Sequence, residues 1–146
     1  MKWEELRMEV KNCEFAGCPR NRNKLPILFD RSEDSLARIR FVVVSQEPGA
    51  GLRKRFSSPE RMEEFLASEC DGNQSPKGGG LPHRMREIFG RKFNPRSGEI
   101  YWTHALKCVP TRNDDIKKQW RNCAASCVDY FKKELSLIPS KRLNLS

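Results

Sequence analysis

No run of apolar residues in this 146-residue chain approaches the ~20 needed to cross a bilayer as a helix, so no helical membrane anchor is expected. The opening "MKWEELRMEV" lacks the basic-then-apolar order of a secretory leader, which makes the cytosol the expected compartment. No segment repeats and no linker-like stretch divides the chain, so one domain of ordinary size over residues 1–146 is the reading. Acidic residues are also in short supply. Nineteen Asp and Glu face 28 Lys and Arg, a net charge of +9. That excess favours a polyanionic partner such as nucleic acid over general solubility or attraction to an anionic membrane surface.

Cysteine, by contrast, is plentiful. Six are present, in a chain expected to work where disulfides rarely persist, so metal ligation or redox chemistry is expected of those that cluster. Cys13 and Cys18 are separated by four residues in an irregular stretch. Cys108 and Cys123 are separated by fourteen, from a strand end into a helix. Two local pairs, remote from each other along the chain, can close a four-thiolate site of the kind that holds a [4Fe–4S] cluster or a structural zinc. Spacing does not choose between the metals, and the competing reading is a set of unrelated small core residues. That competing reading is preferred for Cys70 and Cys127. Cys127, one helical turn beyond Cys123, is either core or a substitute ligand.

Trp3, Leu6 and Val10 recur at helical spacing over residues 2–11. Arg40 to Ser45 is a β-branched run, apolar on both faces, and is expected to be a strand covered by helices. "SSPERMEEFLAS" reads as a helix capped by Ser58, with Pro59 in its first turn and Met62, Phe65 and Leu66 inward. "CDGNQSPKGGG" is an aperiodic surface loop. "LPHRMREIFG" is a short helix with Met85, Ile88 and Phe89 inward, stopped by Gly90. "IYWTHAL" is the second strand. A longer helix then runs from about Asp115 to Leu137 with Ile116, Trp120, Cys123, Cys127 and Phe131 on one face. Alternation of strand and helix predicts an α/β fold with a parallel sheet, whose ligands lie beyond the carboxyl ends of the strands. "SQEPG" and "HALKC" occupy those two ends. Two strands make a small sheet, and a third is expected to start near "SKRLNLS", where the chain stops.

With Cys13 and Cys18, "SQEPG", "YWTHALKCVP" and Cys123 in that order, the chain resembles the uracil-DNA glycosylase superfamily, most closely its iron–sulfur branch, family 4. The resemblance covers about residues 10–138, and "KCVP" with its fourteen-residue spacing to Cys123 is its most specific element. It implies a three-layer parallel-sheet fold, a [4Fe–4S] cluster on Cys13, Cys18, Cys108 and Cys123 with zinc as the alternative, and uracil-containing DNA as partner of a monomer. Four departures accompany it. The first Cys pair is spaced more widely than in that branch. Gln46 and Glu47 stand where the branch has Glu and Ala. His104 replaces an Asn. The family's C-terminal strands and His-Pro-Ser loop are missing, which reads as a truncation.

The resemblance implies hydrolysis of the bond between a flipped base and its deoxyribose. The sugar gains oxocarbenium character while the base leaves with negative charge, so the site needs an anion or oriented water on one side and donors on the other. Glu47 is the candidate for the first task, at a position where other branches of the superfamily often have Asp or Asn. Gln46 is placed to contact the uracil edge. Pro48 sets the chain direction and Gly49 permits close approach of backbone to substrate. His104 has two even readings: a contact to the flipped base, as a neutral donor to a carbonyl or an imidazolium that stabilises the leaving base, or a satisfied structural histidine. Phe56 is a candidate to stack on the base, with the packed aromatic as the preferred competing reading. The basic clusters "LRKRF", "PHRMR" and "GRK" are candidates to neutralise flanking phosphates. The competing classes are a shortened, catalytically inactive iron–sulfur or zinc module that binds nucleic acid, and a zinc-stapled RNA-binding protein of other ancestry.

Overall fold

The computed structural model describes residues 1–15, 17–21, 23–70, 80–111 and 116–139, the side chains of 116–120 excepted. Most of the aperiodic "CDGNQSPKGGG" loop, the expected helix start at Asp115, the side chains of Ile116 and Trp120, and the expected third strand at "SKRLNLS" lie outside the described residues. The chain is a mixed α/β structure with one small parallel sheet. In order come α1 (Trp3–Lys11), a 3-10 turn (Pro19–Asn21), α2 (Glu33–Leu36), β1 (Phe41–Ser45), α3 (Leu52–Arg55), α4 (Pro59–Ser68), α5 (Leu81–Phe89), β2 (Ile100–His104) and α6 (Ile116–Leu137). Among the described residues no helix is long and apolar enough to cross a membrane.

Local sequence explains most of these elements. In α1 the buried residues are Trp3, Leu6 and Val10, the stripe expected of that spacing, and the Trp3 indole N–H donates to Phe29 O at 2.8 Å. The Ser58 hydroxyl accepts the Arg61 N–H and Pro59 occupies the first turn of α4, whose Met62 and Leu66 are buried while Phe65 is half-buried. Gly90 ends α5 at φ +60°, a conformation open to glycine.

β1 and β2 run parallel in register, Phe41 beside Ile100 through Ser45 beside His104. Every residue of β2 is buried, and its side chains alternate between two apolar clusters. Ile100 and Trp102 join Leu25, Ile27, Phe29, Met62, Leu66 and Phe93 on one face. Tyr101 joins Trp3, Leu6, Val10, Leu28 and Leu36 on the other. β2 ends two residues sooner than its sequence suggests.

Two expectations are corrected. β1 is not covered on both faces: Phe41 is 66% and Val44 47% exposed, because packing over this strand is partial whereas β2, its partner, is buried throughout. In α5, Met85 packs inward, but Ile88 is 70% exposed and Phe89 is exposed as well, so the apolar face of this helix is only partly used.

Residues 24–31 carry no strand periodicity, yet Leu25, Ile27, Leu28 and Phe29 are all buried. Their backbone pairs antiparallel with the segment after β2: Ile27 N–H donates to Lys107 O at 2.8 Å and Val109 N–H to Leu25 O at 3.0 Å, around a bridge between Pro26 and Cys108. That short ladder fixes the position of Cys108 beyond the strand end. Arg31 is buried just after it, with its guanidinium donating to Ser35 O, Pro95 O and Gly98 O and lying 5.6 Å from the Tyr101 ring centre. Burial lowers its pKa to about 10, with Tyr101 opposing and Arg38 adding to the shift.

Candidate functional site at the strand ends

The loops after β1 and β2 leave the sheet side by side. Ala105 N–H donates to Ser45 O and Leu106 N–H to Gln46 O, each at 2.9 Å, so the pairing of the strands carries into both loops. The Trp102 indole N–H donates to Ser45 Oγ at 2.8 Å, and the Trp102 and His104 rings lie 4.8 Å apart. Gln46 and Gly49 are exposed, Glu47 is partly buried and Pro48 is buried. A methyl group added at Gly49 would meet nothing within 4 Å. The expected close approach at Gly49 is therefore not to the rest of the described chain, and the space over it is open.

Two arginines hold the acidic loop against its neighbours. Arg20, fully buried in the 3-10 turn that follows Cys18, donates through Nη1 to Cys108 O at 3.3 Å, and its Nη2 lies 2.6 Å from Glu47 Oε2. Arg53, in α3, donates to Pro110 O and Val109 O at 2.9 Å and to Asn23 O at 2.7 Å. The "LRKRF" cluster is thus divided: Arg53 is committed to backbone carbonyls, while Lys54 and Arg55 are exposed. Arg55 covers the Phe65 ring at 4.3 Å. Phe56 is packed on Phe65 at 5.3 Å and beside the larger apolar cluster, so its ring is a part of the packing around α4. Of the other two basic clusters, Arg84, Arg91 and Lys92 are exposed.

The cysteines gather from three separate segments. Cys18 and Cys123, 105 residues apart, form a disulfide and are packed with Cys127 and Leu106. Cys108 is buried, and its thiol is pushed up to about 12 by burial and then by the neighbouring Cys127 and Cys13 thiols. Burial also raises the Cys127 thiol, whose sulfur accepts the Lys107 N–H at 3.5 Å. Cys13 is half-buried; Lys24 Nζ holds its carbonyl at 2.6 Å, and Tyr130, raised chiefly by burial, shares a hydrogen bond with its side chain. Cys70 stands apart, buried in the larger apolar cluster.

The four cysteines singled out from spacing therefore meet in one place with Cys127, as a shared site requires. The arrangement does not fit four-thiolate ligation as it stands. Cys18 and Cys123 are bonded to each other and offer no thiolate, and among the described residues no group of three or more His, Cys, Asp or Glu is arranged to hold a metal ion.

Beneath the strand ends lies a buried polar network that charge patterning does not anticipate. Lys107 and Glu134 form an ion pair at 1% and 0% exposure. Lys107 Nζ also donates to Thr103 Oγ1 at 3.0 Å and His104 O at 2.6 Å, while Glu134 accepts the Tyr101 and Thr103 hydroxyls. This network pins α6, and with it Cys123 and Cys127, to β2. His104 is 2% exposed, and burial, followed by the positive charge of Lys107, lowers its pKa to about 3. Of the two forms open to His104 the imidazolium is excluded near neutral pH, and only the neutral ring remains.

Gln46, Glu47, Pro48 and His104 are brought together at the strand ends, with Cys108 one loop away. Arg20 and Glu134, which hold this arrangement, escape sequence reasoning because isolated charges read as solvated surface; Arg53 and Lys107 lie within "LRKRF" and "KCVP", but their burial and partners have no local sign. No family model, characterised protein or solved structure matches this chain.

Proposed function

We propose that this chain is a uracil-DNA glycosylase of base excision repair, hydrolysing the N-glycosidic bond of a flipped uracil on a three-layer fold of that superfamily. The observation that carries the reading is the convergence of Cys13, Cys18, Cys108 and Cys123 beside two adjacent loops that bear Glu47 and His104. Three segments separate in sequence meet beyond the carboxyl ends of the parallel strands, which supports the reading.

In this reading the Glu47 carboxylate, partly exposed and fixed from below by Arg20, faces the sugar and stabilises its developing positive charge or orients the attacking water. Exposed Gln46 supplies an amide donor and acceptor to the uracil edge, and the open space over Gly49 admits the nucleotide backbone. His104 serves as a neutral donor and as a stacking support for Trp102. Exposed Lys54, Arg84, Arg91 and Lys92 neutralise flanking phosphates. The proposal includes a [4Fe–4S] cluster, or zinc, as a brace rather than a reactant. Forming it first requires reduction of the Cys18–Cys123 bond by two electrons and two protons to two thiols, as a reducing cytosol provides.

The test is incubation of the reduced, iron-reconstituted protein with uracil-containing single- and double-stranded oligonucleotides, followed by alkali. Strand cleavage is expected, and Glu47→Gln abolishes it while sparing DNA binding. A broad absorbance near roughly 400 nm distinguishes an iron–sulfur cluster from zinc. The second reading, a binding module without catalysis, is favoured by the ion pair that engages Glu47 and by the burial of His104. DNA binding with no abasic product would establish it in place of the first.

A further inference from the structure

We infer that Arg20 is a positioning residue for Glu47 and that it ties the acidic loop to the state of the cysteine centre, an inference that rests on the glycosylase reading for its catalytic consequence. The link is geometric. Arg20 follows Cys18 by two residues in the 3-10 turn Pro19–Asn21 and is 0% exposed. One end of its guanidinium donates to Cys108 O at 3.3 Å and the other lies 2.6 Å from Glu47 Oε2. A guanidinium is a rigid planar fork, so its two Nη atoms cannot shift independently. A displacement of the turn beside Cys18 or of the carbonyl of Cys108 is therefore delivered to the carboxylate of Glu47. The Cys18–Cys123 bond fixes that turn against α6. Backbone pairing holds the loop at Gln46 and Pro48 is buried, while Gln46, Gly49 and Ala50 are exposed, so Arg20 is the recorded charged partner of the Glu47 carboxylate among the described residues. A lysine at position 20 would keep the charge but, as a single ammonium, would lose the fork that spans Cys108 and Glu47.

The experiment compares the full chain with Arg20→Gln, Arg20→Lys, Cys18→Ser and, as a control outside the centre, Cys70→Ser, with exchange read on the air-purified, disulfide-bonded form and kinetics on the reduced, iron-reconstituted form. Two quantities are followed: amide hydrogen exchange over residues 45–52, and kcat and KM on a uracil-containing oligonucleotide. Exchange over residues 45–52 should accelerate in Arg20→Gln and Cys18→Ser and stay at the wild-type rate in Cys70→Ser. For Arg20→Gln kcat should fall about 100-fold, the scale of a misplaced reacting group, with KM little changed. Arg20→Lys should leave kcat low, since charge alone does not restore position. If Arg20→Gln does not fold, Arg20→Lys and the charge-neutral pair Arg20→Gln with Glu47→Gln are read by the exchange criterion. Unchanged exchange over residues 45–52 in either the Arg20 variants or Cys18→Ser overturns the inference, as does a wild-type kcat in Arg20→Gln. If the wild-type chain releases no uracil, the glycosylase reading falls and the exchange pattern alone decides the link between Arg20, Cys18 and Glu47.

Discussion

Acidification probes the strand-end site through His104. In the folded chain its pKa is about 3, set first by burial and then by Lys107, against an ordinary value of 6.5. The unfolded chain therefore binds a proton at this ring below pH 6.5, and the folded chain does not until about pH 3. Stability is fully present above 6.5 and declines as the pH falls toward 3, by about 1.4 kcal/mol for each unit. At pH 5 the loss is about 2 kcal/mol, a large part of the roughly 5–15 kcal/mol that holds a domain folded. On a thermal scale for a chain of this size it is a fall of about 7 °C. His104→Asn removes the titration and keeps a neutral side chain, so subtracting the two pH profiles cancels the carboxylates common to both. Urea denaturation of both proteins between pH 7.5 and 4 should give a difference that is flat above 6.5 and closes by about 2 kcal/mol at pH 5. A difference that stays constant across that range would refute the reasoning, because it would mean that His104 takes up its proton equally well folded and unfolded.

Glu134→Gln leaves the Lys107 ammonium buried without a counter-charge and should destabilise the chain by about 3–5 kcal/mol in chemical denaturation; adding Lys107→Met should recover much of that loss. Thiol titration of metal-free, air-purified protein in denaturant should find four reactive thiols, rising to six after reduction. Finding six at the outset would show that Cys18 and Cys123 are not joined in that state. A methyl group at Gly98 would run into the backbone at Lys92 O and Asn94 N, so Gly98→Ala should cost about 1–3 kcal/mol. Gly49→Ala, where the space is open, should change stability by less than about 0.5 kcal/mol yet weaken binding to uracil-containing DNA in a titration.

What is legible in the sequence follows from which signals are local. The helices α1 and α4 are readable because Trp3, Leu6 and Val10, or Ser58, Pro59 and Met62, carry stripe and cap within one segment. The pairing of residues 25–27 with 107–109 is not, because "KLPILF" has no alternation and its partner lies some eighty residues away. The exposure of Phe41, Val44, Ile88 and Phe89 is hidden for the same reason: an apolar side chain announces its preference, not whether a neighbour is there to meet it. Spacing marks Cys13, Cys18, Cys108 and Cys123 as able to share a site, whereas the bond that joins Cys18 to Cys123 crosses the two local pairs and has no local sign. Arg20 and Lys107 are invisible in one sequence because their burial depends on Glu47 and Glu134, each far along the chain.

The two strands are unequal, and the inequality has a mechanical consequence. β2 is sealed on every side, while β1 lies at the margin with Phe41 and Val44 facing water. Thermal opening will begin at the margin, where fewer apolar contacts must be broken, and leave the keel of the domain intact. Glu47 hangs from that margin and Cys108 from the keel. Because the Arg20 guanidinium spans the two, fraying at the margin is felt at the carbonyl of Cys108 while the keel still holds.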